Sequence, residues 1–194
     1  INPNFFQAHN NYGNTLEKLG LYEEAIIHYK KCLEIEPDYF MAHNNLGVIF
    51  SLTGEIDKSI KSYENVIKIN PDYAPTYWNM HGCCKDINDA ISLLRKCVGL
   101  DSNYKKAYLT LAFLEAYLGN TDKYIEISRS SLKNDPYMRS FEWIFSLPKL
   151  PQLFFSRWSF FDGMIDLSLK SRPFYEFGVW MGVSFKYLMR SYKS

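Results

Sequence analysis

Three asparagines, Asn11, Asn45 and Asn79, follow one another at intervals of 34 residues, with Asn10, Asn14 and Asn44 beside them. A primary amide carries two N–H donors and one carbonyl acceptor. An evenly spaced row of them can therefore hydrogen-bond both groups of a peptide backbone without regard to its side chains. The other reading of the row is a polar face covered by solvent; Thr110, where the series would next fall, breaks it. A second group lies near the C-terminus, where Glu176, Gly178, Gly182 and Ser184 stand close together. Residues 173–177 read as a short buried strand, 178–182 as a glycine turn and 183–190 as the opening of a helix. Such a corner lets a backbone approach a nucleotide-like ligand, and a carboxylate at the strand end can hold a ribose or an amino group. The alternative is a turn within a helical cap, where the two glycines serve packing alone.

Composition narrows the partners. The chain has 194 residues, 47% hydrophobic and 22% charged, with a formal net charge of +1. That balance gives no electrostatic argument for nucleic acid or for an anionic membrane surface, and neither partner is expected. No apolar run is long enough to span a bilayer; the stretch 153–161 is interrupted by Arg157 and followed by Asp162. Cys32, Cys83, Cys84 and Cys97 include no pair at C-x-x-C spacing, so no zinc framework and no metal is expected. They read as buried thiols, which suits a reducing cytoplasm. His9 and His43 share one position of the 34-residue period, where a large side chain stacks, and this favours packing over ligation.

The elements that must position these groups are written in the same period. Pro3, Pro37 and Pro71 close the phrases Ile1-Asn2-Pro3, Ile35-Glu36-Pro37 and Ile69-Asn70-Pro71. Within residues 6–39 a first helix carries Ala8, Tyr12, Gly13 and Leu16 and ends at Gly20; a second carries Ala25, Tyr29 and Cys32 and cannot continue past Pro37. Residues 40–73 keep the register with Ala42, Leu46, Gly47, Phe50, Gly54, Ser59, Tyr63 and Val66. Small residues at Gly13/Gly47 and Ala25/Ser59 let the two helices nest. This pattern resembles the tetratricopeptide repeat family over about residues 1–136. The resemblance implies a mainly α fold, a right-handed α-α superhelix of helix pairs, with repeats at about 6–39, 40–73, 74–104 and 105–136. It also implies a concave face lined by the first helices, the usual seat of a protein or extended-peptide partner.

The third repeat departs from the pattern. Aligning Ala90 with Ala25 and Cys97 with Cys32 leaves three residues missing between about Met80 and Lys85. Its first helix is expected to be nearly one turn short and to lack a terminal glycine, with Asn88 available as a cap for the second helix. The asparagine row is similar to the asparagine ladder of O-linked N-acetylglucosamine transferase repeats, which holds extended peptides. A different tetratricopeptide subclass grips C-terminal carboxylates with Lys and Arg. The matching positions here are Asn10, Asn14, Asn45, Pro75 and Asn79, and those cations are absent.

After Pro136 the period stops. Residues 137–171 read as capping and connector helices, with Phe154, Trp158, Phe161, Ile165 and Leu169 near one stripe. Residues 172–194 are expected to form the front edge of a truncated α/β domain. The string Glu176-Phe-Gly178-Val-Trp-Met-Gly182-Val-Ser184 resembles the first motif of class I S-adenosylmethionine-dependent methyltransferases, closest to the macrocin O-methyltransferase-like form. The resemblance implies that Gly178 and Gly182 line the cofactor S-adenosylmethionine, that Glu176 contacts it and that Ser184 opens the adjoining helix. It implies a parent protein that transfers a methyl group to a small or sugar-like hydroxyl acceptor. One strand and one helix build no parallel sheet, so the fragment alone is expected to be inactive. The alternative function is an interaction scaffold with a helical C-terminal cap and no catalysis.

Overall fold

The structure, a computed structural model, describes residues 5–128. These form eight helices and no strand. They run in pairs: α1 (Phe6–Lys18) with α2 (Tyr22–Ile35), α3 (Phe40–Thr53) with α4 (Ile56–Ile69), α5 (Ala74–His81) with α6 (Ile87–Leu100), and α7 (Lys105–Tyr117) with α8 (Asp122–Ser128). The expected strand, glycine turn and helix of residues 172–194, and the connector at 137–171, lie outside the described residues.

Turn chemistry divides the pairs. Gly20, Gly54 and Gly119 sit at φ 78°, 88° and 98°, in the left-handed region that a Cβ disfavours, and each ends the first helix of its pair. Pro37 and Pro71 then follow the second helices α2 and α4 by two residues, so neither can extend. Glu23 and Glu24 fill the first turn of α2, where a carboxylate is favoured by the helix dipole.

Within a pair the helices are brought together by one unusual contact. A Cβ added to Gly13 would lie 2.6 Å from the Tyr29 ring, and one on Gly47 would meet the Tyr63 ring as closely. Both tyrosines are fully buried, as are Ala25, Ser59, Cys32 and Cys97. Ser59 donates its hydroxyl to the Gly47 carbonyl at 2.7 Å, a second tie across the same gap. Between pairs, aromatic edges repeat with the period: Phe6 meets Tyr39, and Phe40 meets Tyr73, each at 5.0 Å between ring centroids.

The third pair corrects two expectations in detail. α5 has 8 residues against 14 in α3, a loss of more than one and a half turns rather than nearly one. Three of the missing residues are absent from the chain; the other three are taken into the link, which grows from two residues (54–55) to five (82–86). There Gly82 keeps φ at −68° and Cys83 turns inward, buried beside Ser59 Oγ at 3.4 Å. The cap of α6 is Asp86, not Asn88. An N-cap oxygen must reach forward to a free N–H of the first turn, and Asp86 accepts the Asn88 backbone N–H at 2.7 Å.

Replacing Gly47 with Ala forces the Tyr63 ring or the α3 backbone to move. We expect a loss of about 1–3 kcal/mol, the range for overpacking a close-packed interior, read as a lower urea midpoint with unchanged far-UV circular dichroism. A midpoint within error of the parent would mean that this approach does not limit the packing of the pair.

Candidate functional site: the asparagine row on the first helices

Asn11, Asn45 and Asn79 occupy matching places on α1, α3 and α5, as the 34-residue interval requires. Asn11 is exposed, and Asn45 and Asn79 are half-buried. Their neighbours Asn10 and Asn44 are buried, at 3% and 7% exposure. Those buried amides join successive helices. Asn45 Nδ2 donates to Asn10 Oδ1 at 3.1 Å and to Asn14 Oδ1 at 2.8 Å. Asn79 Nδ2 donates to Asn44 Oδ1 at 3.3 Å, an oxygen that also accepts from Thr76 Oγ1 at 3.2 Å. The Asn45–Asn10 and Asn79–Asn44 links each step 35 residues, one more than the repeat, because an amide in one pair reaches back to the residue before its own counterpart.

The wiring extends into the core. The Tyr29 hydroxyl lies 2.7 Å from Asn14 Oδ1 and 2.8 Å from Glu17 Oε2, sharing one proton between two acceptors. Burial, and the Glu17 carboxylate beside it, push that hydroxyl far above the ordinary tyrosine range. Both N–H bonds of Asn45 are thus committed inward, and its Oδ1 has no bond to another described residue. Asn79 keeps one N–H and its Oδ1, while the Asn11 side chain makes no bond among the described residues. What the row offers is two amides held at fixed places, Asn45 through its carbonyl and Asn79 through its carbonyl and one N–H, beside the unanchored amide of Asn11. Sequence reasoning placed these residues on one face but did not foresee that two of them bond across the repeat boundary.

The histidines and cysteines serve packing. His9 Nδ1 and His28 Nδ1 lie 3.1 Å apart with ring centroids 5.3 Å apart, so the rings meet nitrogen to nitrogen in a hydrogen bond between unlike tautomers. Burial, then His9 and Lys31, lower the His28 pKa, against a smaller opposing pull from Glu24. His43 Nε2 lies 2.9 Å from the Pro37 carbonyl. Burial pushes the Cys32 and Cys97 thiols up to about 11. No group of three or more His, Cys, Asp or Glu among the described residues is arranged to hold a metal ion. Nor is any helix of the described residues long and apolar enough to cross a membrane.

Sequence reasoning also missed Glu115. It is buried at 5% exposure on α7 and accepts from Arg95 of α6 at 3.0 and 3.2 Å, with Lys123 of α8 at 3.4 Å. No signal in the chain marks it, since a single Glu in a helix reads as solvated surface. Glu176, Gly178, Gly182 and Ser184 lie outside the described residues.

Residues 6–39 and 40–73 each match the family described as tetratricopeptide repeat. These two units are tetratricopeptide repeats. No curated protein matches the chain. Among solved structures, MamA from Desulfovibrio magneticus RS-1 superimposes with a TM-score of 0.58 at 20% identity, over 68% of this chain and 78% of that one. The first tetratricopeptide domain of Spaghetti (RPAP3), bound to the HSP90 peptide SRMEEVD, gives 0.55 at 18% identity, over 59% and 93%. A mutant of the Thermobaculum terrenum O-GlcNAc transferase gives 0.54 at 17% identity over 58% of this chain, which spans 22% of the transferase. At these identities the likeness is one of fold, and it agrees with the tetratricopeptide helix pairs described above.

The two kinds of asparagine separate by mutation. Asn45→Ala strands the buried Asn10 oxygen, while Asn14 Oδ1 keeps the Tyr29 hydroxyl, so a loss of about 1–3 kcal/mol is expected. Asn11→Ala removes no bond and should change stability by about 0.5 kcal/mol or less. Urea unfolding of both variants checks this; equal losses would show that the cross-repeat bonds contribute nothing net.

Proposed function

We propose that the protein captures extended peptide segments along the face of its first helices, with Asn11, Asn45 and Asn79 as the contacting side chains. One observation carries the reading: three amides recur at equivalent places on successive helices, two of them anchored by buried amides behind them. A groove that meets backbone groups rather than side chains tolerates many sequences, which suits a recruiting module. That the Spaghetti domain is bound to a peptide supports this use of the fold. The grip differs, however. The positions that would supply cations to a terminal carboxylate are Asn10, Asn14, Asn45, Pro75 and Asn79 here, so a peptide ending in acidic residues gains no charge partner. In the test, a random-sequence peptide array is probed with the parent protein and with the triple variant Asn11→Ala, Asn45→Ala, Asn79→Ala, at a temperature where circular dichroism shows both folded. Capture should fall at least tenfold in the variant; undiminished capture would leave the row as a solvated face.

For the C-terminal segment we infer a methyltransferase edge, with Glu176, Gly178, Gly182 and Ser184 toward S-adenosylmethionine, supported by the motif alone. The peptide-capturing repeats would then bring a partner to an enzyme of a small or sugar-like hydroxyl acceptor. A calorimetric titration of the full-length protein with S-adenosylmethionine separates this from the pure scaffold. Saturable binding that is lost in Gly182→Val is expected. Binding that is absent, or indifferent to that change, assigns the segment to a helical cap.

A further inference from the structure

We infer that His9 and His28 form an acid-sensitive latch between α1 and α2, closed while the pair carries no more than one added proton and open once it carries two. The latch stands apart from the peptide-capturing reading above, and its test uses no peptide.

The latch follows from how the two rings meet. Their Nδ1 atoms lie 3.1 Å apart, the ring centroids lie 5.3 Å apart, and the ring planes are inclined by 28°. The difference between those two distances is no more than two ring radii, so the nitrogens face one another along the line of the ring centres. One Nδ1 must then donate and the other accept. A first added proton settles on Nε2 of the donor ring, on the far side from the bond, and the N–H···N contact survives with a charged donor. For a second proton only the accepting nitrogen is left. Two N–H groups then point at each other across a gap that holds one hydrogen, between two like charges. The rings have to part.

The surroundings leave little room for this to be settled in place. His9 is buried at 8% exposure, and the Tyr12 ring stands edge-on to His28 with centroids 4.5 Å apart. One turn beyond His9 on α1, Gly13 lies directly against the Tyr29 ring, so the movement falls on the first two turns of α1. The charged groups acting on His28 are Lys31 and Glu24 of α2 and, across the gap, His9. α3, which packs on both helices, has no charged residue, and its one titratable group, His43, bonds to the Pro37 carbonyl. With burial the largest cause, His28 holds a proton less readily than an ordinary histidine of pKa 6.5. The unfolded chain therefore binds more protons as the pH falls through 6.5, and the stability that the closed pair contributes is lost on the acid side. The second pair has no such latch, because Ser62 stands where His28 stands in the first. Opening also reaches the asparagine row, since α1 carries the Asn10 and Asn14 oxygens that hold Asn45.

The test reads the pair by imidazole 15N spectra of the whole protein between about pH 8 and about pH 4.5. Amide hydrogen exchange of residues 10–13 reads the opening, with residues 44–47 of α3 as the reference. At the alkaline end one ring should carry its proton on Nδ1 and the other on Nε2. The pair should titrate in two steps at least about one pH unit apart. Between about pH 7.5 and about pH 5, opening of residues 10–13 relative to 44–47 should rise about tenfold, which is what one pH unit of displaced titration amounts to. In His28→Asn, whose amide does not titrate, that rise should vanish; His9→Asn supplies the same comparison if the first variant does not fold. Like tautomers, or a single step, would overturn the nitrogen-to-nitrogen pair. Two steps without the rise in opening, or a rise that persists in the variants, would overturn the latch.

Discussion

The approach of a glycine backbone to a tyrosine ring governs the rest of this molecule. At Gly13–Tyr29 and Gly47–Tyr63 there is no room for even a methyl group, so each glycine lets its helix lie directly against the tyrosine ring of the partner helix. That contact buries the ring and, in the first pair, brings the hydroxyl to the α1 side chains one and four residues beyond Gly13. There it meets Asn14 and Glu17. One residue thus serves as core and as the root of the polar network. The second pair keeps the ring but has Val48 where the first has Asn14, so the hydroxyl of Tyr63 finds no amide at that place. Packing repeats with the period; the polar wiring built on it changes from pair to pair.

Much of this was legible because a 34-residue period repeats packing constraints, and packing constraints restrict residue type. Glycine at 13 and 47, a small residue at 25 and 59, and tyrosine at 29 and 63 can be read as facing one another before any coordinate is known. The cross-repeat bonds could not be read this way. Alignment by period pairs Asn10 with Asn44 and Asn11 with Asn45, like with like, whereas the bonds join Asn10 to Asn45 and Asn44 to Asn79. An offset of one residue is a property of how adjacent helices are rotated against each other, and no single helix carries it. The cap of α6 failed for a related reason. Asn88 and Asp86 are both good capping residues, and only the place where the chain enters the helix decides between them.

The third pair shows what happens when the period is broken. Losing three residues shortens α5, and on the short helix Trp78 packs tilted on His81 at 4.6 Å and on Tyr104 at 5.8 Å. Trp78 stands where Asn10 and Asn44 stand in the earlier pairs. An aromatic ring there offers no amide oxygen to the next helix, so the chain of bonds between first helices ends at Asn79. His81 is buried beside it and keeps its proton less readily than an exposed histidine, because an imidazolium would lose its hydration. Polar wiring gives way to aromatic packing at the same point where Thr110 replaces asparagine in the row, and both changes fall beyond Asn79.

The anchored amides also differ from the unanchored one in what a partner must overcome. A side chain free in solvent loses rotamer freedom when it engages, at about 0.5–1.5 kcal/mol for each group immobilised. Asn45 and Asn79 have already lost it on folding, through bonds to Asn10, Asn14 and Asn44. Asn11 has not. On the proposed reading, equal hydrogen bonds from the three therefore contribute unequally, and Asn45 and Asn79 supply more net affinity than Asn11. The asparagines that touch nothing outside the protein, Asn10 and Asn44, then matter to recognition by ordering their neighbours in advance. A row of amides evenly spaced in sequence becomes, through what lies behind it, a graded site.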